Sequence, residues 1–217
     1  MFIGIILLNE LQAVICSVFS KRCYITVSLF SILSLSMISY GQINNNCGYV
    51  GLSVGPAIPM GLFGSKDYKD GNIGFAKTGI RFNLVQGGYT FYKGFGVSMS
   101  LFGAAHTADN QYVNDRIWGY GGIMAGPMFT YEVNESVIAN SKVLFGRVNS
   151  SIYQNNSLYE SKQSMCIEFA ANLLYKFSKN WCLLANIELF HCKAKFDSFN
   201  LRMTSISPTI GLCYWIE

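Results

Sequence analysis

Charge is scarce in this sequence. Only 13% of its 217 residues are Asp, Glu, Lys or Arg, against roughly 25% in an ordinary soluble domain. Disordered tails and coiled coils need more charge than that. The net charge of +4 is small and scattered, so nothing points to nucleic acid as a partner. Proline is held to 4 residues and histidine to 2. There is no Cys-x-x-Cys, and His106 and His191 lie far apart, so the sequence offers no metal site and implies no cofactor. After Gly41 no apolar run reaches the ~20 residues of a membrane-spanning helix.

Apolar side chains, aromatic rings and glycine make up the difference, at 51%, 15% and 21 residues. At the start of the chain they form two apolar stretches. Lys21-Arg22, the apolar run 25–37 and the small residues Ser39 and Gly41 have the order of a secretory signal. Cleavage is expected after Gly41. Residues 1–41 then form a signal peptide and 42–217 the mature domain. Residues 1–19 have no role in such a signal and read as an extension from a misassigned start. The competing reading of the second run is a transmembrane anchor, for which it is short.

The rest of the chain alternates with a period of two between turn signals. In the segment 164–177, Met165, Ile167, Phe169, Ala171, Leu173, Tyr175 and Phe177 share one face. Ser164, Cys166, Glu168, Asn172 and Lys176 share the other. Val50, Leu52, Val54, Pro56 and Ile58 repeat the pattern near the start of the domain, and Ile206, Pro208, Ile210, Leu212, Tyr214 and Ile216 repeat it at the end. About eight such strands can be counted, each of about ten residues or more, the size of the smallest transmembrane barrels. The predicted fold is all-β: a closed, antiparallel, up-and-down transmembrane β-barrel. Short connections at 92–94, 132–136 and 178–180 alternate with long polar ones at 60–78, 104–117, 149–161 and 193–203, as in outer-membrane barrels. Aromatics gather at the short-turn end (among them Tyr89, Phe91, Tyr92, Phe95, Trp181, Tyr214 and Trp215) and read as an interfacial girdle. After Leu84 the apolar parity shifts, which predicts a bulge near Gly87-Gly88.

Gly51-Leu52-Ser53-Val54-Gly55-Pro56-Ala57-Ile58-Pro59-Met60-Gly61, Gly74-Phe75-Ala76-Lys77-Thr78-Gly79, Gly121-Gly122-Ile123-Met124-Ala125-Gly126-Pro127-Met128 and Phe177-Ser178-Lys179-Asn180-Trp181 resemble the small outer-membrane β-barrel proteins of the Bacteroidetes type. The likeness is broadly to eight-stranded OmpA-like and opacity-protein-like barrels. It covers most of 45–217 and implies a cell outer-membrane location, outer-membrane lipid as the surroundings, and assembly by the barrel insertion machinery. The last residue is Glu217 rather than the aromatic usual in that family. The resemblance implies no catalytic residues.

A charge facing lipid at mid-bilayer costs about 2–4 kcal/mol for Arg or Lys, so strand charges are expected in the lumen. Arg81, Lys142, Glu168 and Glu188 all fall on the polar parity. Hairpin spacing predicts an ion pair between Lys142 and Glu168. These charges either cross-link a plugged lumen or line a channel, and a barrel of about eight strands favours the plug. Five cysteines follow Gly41. Cys166 with Cys192, and Cys182 with Cys213, are spaced to form cross-strand disulfides, leaving Cys47; buried thiols are the equal alternative. An acyl-transfer site would need a serine, a histidine and an acid together. Ser98, Ser100, His106, Asp109 and His191 form no such motif.

The expected role is structural or surface-interacting, without catalysis, and the termini are expected in the periplasm. An extracellular ligand would meet the long loops first, at residues such as Lys66, Asp67, Tyr68, Lys69 and Asp70. The alternatives are a narrow porin-like channel for small solutes and a lipid-modifying outer-membrane enzyme.

Overall fold

Period-two alternation sustained over 13 to 18 residues gives each barrel strand an apolar outer face and an inner face that mixes polar with apolar residues. Here those strands close into a ring. The computed structural model describes residues 46–66, 74–109, 116–154, 157–197 and 199–216. The expected signal peptide, its extension and the loop residues 67–70 lie outside the described residues. The strands are β1 (Cys47–Met60), β2 (Gly79–Tyr92), β3 (Phe95–Thr107), β4 (Ile117–Asn134), β5 (Val137–Gln154), β6 (Ser157–Glu160), β7 (Ser164–Lys176), β8 (Trp181–Lys195) and β9 (Asn200–Ile216). Neighbours pair antiparallel. β1 pairs with β9, β4 with β5 and β5 with β7, so eight strands form a closed barrel and β6 is an appendage on β5. Both ends of the ring, Cys47 and Ile216, sit at the short-turn end.

Side chains sort by parity. Leu52, Ile187 and Ile210 on the outer face are 58%, 58% and 72% exposed, whereas Leu184, three residues before Ile187 and on the other face, is 1% exposed. The outer wall is therefore apolar, the reverse of a soluble barrel. Lys93 and Gly94 both take positive φ, 43° and 85°, which gives the β2–β3 turn the twist that antiparallel strands prefer. At the short-turn end Trp181 packs edge-on against Tyr214 at 5.7 Å. Trp215 does not belong to that girdle. Its parity is inward, it is buried, and Lys176 Nζ lies 4.2 Å above its ring.

Interruptions in the ladders shape the wall, in β2 and in the β1–β9 seam among others. The parity shift in β2 is absorbed at Leu84-Val85, not at Gly87-Gly88. Asn83 pairs with Phe102 and Val85 with Leu101, so Leu84 is the extra residue. Both Leu84 and Val85 point outward, which lets the strand keep apolar groups outside on either side of the bulge. In the β1–β9 seam the ladder stops between the pairs Val54–Ile210 and Ile58–Ile206. The unchanged register sets Pro56 opposite Pro208 there. Neither has an amide proton to donate.

Candidate functional site

The lumen is filled in three layers. At the short-turn end, Cys47, Tyr49, Met128, Ile138, Leu174, Cys182, Leu184, Cys213 and Trp215 form an apolar cluster. At the long-loop end a larger one gathers, among others, Phe63, Phe102, Trp118, Tyr120, Phe190 and Phe196. Between them lies a polar belt.

Arg81, Lys142, Glu168 and Glu188 all lie in that belt, at 0%, 3%, 0% and 1% exposure. Two cations thus face two carboxylates, so the belt carries no net charge to select ions. The pairing differs from the expected one. Lys142 stands opposite Ala170, and Glu168 opposite Leu144, so the two charges are offset diagonally between β5 and β7. Glu168 is held instead from the far wall. Arg81 of β2 donates from Nη2 to Glu168 Oε2 at 2.7 Å, and its Nε lies 3.1 Å from Glu188 Oε2. The guanidinium also sits 4.2 Å from the Phe102 ring centre. Lys142 Nζ makes no ion pair among the described residues. With the Asn172 amide turned to satisfy its neighbours, Lys142 donates to the Asn172 oxygen at 3.1 Å, and so does the Tyr49 hydroxyl at 2.9 Å.

Uncharged groups complete the belt. Asn83 Nδ2 donates to Glu188 Oε1 and to Ser53 Oγ, both at 2.8 Å. Gln86 Nε2 and Asn186 Nδ2 converge on the same Ser53 Oγ, at 2.6 and 3.1 Å. Strand parity supplies this network, because each member sits on the inward face of its strand.

The mouth carries a cap. Leaving β1, the chain makes a single 3-10 turn, Gly61–Phe63, that drops Phe63 into the barrel. Its ring meets His106, Trp118 and Tyr120 edge-on at 5.0, 5.8 and 6.2 Å. Trp118 Nε1 donates to the Gly74 carbonyl at 2.8 Å, and the Ala76 amide donates to the Phe63 carbonyl at 3.0 Å. Buried Asp109 fastens the cap through Lys66 Nζ at 2.7 Å and Lys77 Nζ at 3.2 Å. No periodic pattern announces this cap, because a 3-10 turn is too short to show one.

The residues weighed for acyl chemistry do not assemble. His106 is buried in the cap, with Nδ1 on the Lys77 carbonyl (2.9 Å) and Nε2 on the Tyr120 hydroxyl (3.2 Å). His191 lies on the outer face, its Nδ1 2.8 Å from Thr204 Oγ1. Ser98 donates to the Gly87 carbonyl. Among the described residues neither imidazole meets a carboxylate.

Cys166 and Cys192 are register partners on β7 and β8, joined by a disulfide with Cα atoms 4.5 Å apart. Cys182 and Cys213 are likewise partners, on β8 and β9, yet they stand as buried free thiols. The second bridge allowed by their spacing is not formed. Cys47 is buried in the same cluster.

Outside the lumen, a recess of about 240 Å³ opens at the long-loop end between β4, β5 and β6. Tyr120, Asn149, Ser151 and Glu160 are among the residues that line it.

No family model matches the chain, and no curated protein matches it. Solved structures do. Neisserial surface protein A is similar over 77% of this chain and 96% of its own, at 13% identity and a TM-score of 0.58. The outer membrane protein OprG of Pseudomonas aeruginosa covers 82% of this chain and 98% of its own, at 11% identity and a TM-score of 0.49. Ail, the attachment invasion locus protein of Yersinia pestis, covers 80% and 100%, at 17% identity and a TM-score of 0.46. At such identities the likeness is one of fold, and the fold is a closed antiparallel barrel of eight strands.

Proposed function

We propose that the chain is an integral outer-membrane barrel that neither conducts nor catalyses, and that presents its long-loop end to partners outside the cell. The observation that carries this reading is the layering of the lumen. An apolar cluster closes each end of a charge-balanced belt, so an ion would have to cross two dry layers. The apolar outer wall supports a membrane setting. With both ends of the ring at the short-turn end, the termini lie in the periplasm and the capped mouth faces outward. The fold of neisserial surface protein A supports the same setting. Export by the 1–41 signal, insertion by the barrel machinery, and descent from the Bacteroidetes-type small barrels belong to this reading. The signal rests on the sequence pattern, and the other two rest on the resemblance of the strand motifs to that family.

Membrane fractionation, paired with gel migration before and after boiling, tests the setting. The expected result is a membrane-bound band that shifts on boiling; a fully soluble pool overturns it. Planar-bilayer recording of the same folded sample tests the sealed lumen. The expected trace is flat, and a stable open level would make the chain a narrow channel instead.

A further inference from the structure

Among the described residues of the barrel strands, outward-facing lysine and arginine fall on β5, β8 and β9. They are Arg147 on β5, Lys193 and Lys195 on β8, and Arg202 on β9. Three of them share a row. Arg147 pairs with Met165, the β7–β8 register brings Met165 beside Lys193, and Lys193 pairs with Arg202. At ~4.8 Å between neighbouring strands, the row spans about 14 Å.

Like charges directly opposite across a ladder are destabilising, and Lys193 with Arg202 is such a pair. No carboxylate relieves it. Among the described residues no ion pair reaches Arg147, Lys193, Lys195 or Arg202; the nearby Asp197 is taken by Lys162 at 3.6 Å. The row's height is telling. From Trp181 to His191 the outward side chains of β8 are Leu183, Ala185, Ile187 and Leu189. Ten residues of tilted strand cover about 25 Å of bilayer normal, the height of a barrel's apolar band. Lys193 and Arg202 come next, at the level of the outer-leaflet headgroups.

We infer that Arg147, Lys193 and Arg202 form a docking row for a phosphate-bearing lipid headgroup of the outer leaflet. A headgroup phosphate over Lys193 and Arg202 accepts from both cations and cancels their repulsion. Its acyl chains run down the apolar wall beside Ile187 and Ile206. A soluble anion would use the same cations but gain nothing from that wall. The inference rests on the membrane setting proposed above.

Spin-labelled phosphatidic acid and spin-labelled phosphatidylcholine, each in phosphatidylcholine vesicles holding the full folded chain, provide the test. The wild type is expected to immobilise the phosphatidic acid about tenfold more strongly, since each surface cation adds substantially to attraction for anionic lipid. The triple variant R147Q/K193Q/R202Q is expected to lose that preference, while K66Q/K77Q at the cap keeps it. Equal immobilisation of the two lipids by the wild type overturns the inference, as does a preference that survives the triple variant. So does a preference abolished by excess inorganic phosphate or by a soluble polysulfated sugar, which would assign the row to a soluble anion. A second readout guards against misfolding. The single variant R202Q should unfold at the same or higher urea concentration than the wild type in pure phosphatidylcholine, and at lower concentration once phosphatidic acid is included. The gel shift on boiling keeps the two proposals apart: a chain that shifts but shows no lipid preference loses only the docking row.

Discussion

Arg81 and Glu168 sit on strands diametrically opposite in the ring, β2 and β7, and their side chains meet at 2.7 Å with both fully buried. A contact that crosses the lumen braces two walls that no ladder connects. Removing one partner leaves a buried charge without its counter-ion, which costs about 3–5 kcal/mol. Arg81→Met is therefore expected to lower stability by that order, since it strands two carboxylates. Adding Glu168→Gln and Glu188→Gln to it should recover most of the loss. Urea unfolding in lipid vesicles, followed by tryptophan fluorescence, measures both. Independent, additive effects would show that the brace does not exist.

The parity of single residues was legible in the sequence, and their partners were not. Alternation placed Arg81, Glu168 and Glu188 on the inner face of their strands. Their union across the lumen depends on how the ring closes, which hairpin spacing cannot show. The same limit underlies the expected Lys142–Glu168 pair: a shift of two residues in the β5–β7 register, which sets Lys142 opposite Ala170, is enough to part them. Trp215 reads with the girdle by its place in the chain, although strict alternation puts it on the side opposite Tyr214, which is the inward one. Phe63 and the cap it anchors left no trace, because a single turn has no period to detect.

The outward and inward faces of β8 make a second prediction. Tryptophan introduced at Ile187 should be quenched strongly by brominated acyl chains, and tryptophan at Leu184 hardly at all, measured against the native tryptophans. Equal quenching would mean that the wall does not face lipid as its exposure pattern implies.

Thiol counting makes a third. In the chain from residue 42 onward, denatured without reductant, an alkylating mass tag should mark Cys47, Cys182 and Cys213, and after reduction also Cys166 and Cys192. A single tag before reduction would show that the Cys182–Cys213 thiols have been oxidised to a second bridge.

The cap yields the fourth. Asp109 holds Lys66 and Lys77, both about half exposed, so each pair is worth no more than about 1 kcal/mol. Asp109→Asn should leave the barrel folded, with its shift on boiling intact, yet speed protease cleavage between Gly61 and Thr78. An unchanged cleavage rate would mean that the burial of Phe63 alone holds the cap.

The facing prolines of the first and last strands bear on how the cylinder comes apart. Six of the other joins are closed by a turn of the chain between consecutive strands and β5–β7 by the short β6 excursion, whereas this one joins the first strand to the last with no turn between them and has a stretch near its middle where nothing is shared between the two edges. Any force that unrolls the molecule into a flat sheet should start there, with the chain's two ends letting go of each other while the hairpins are still intact.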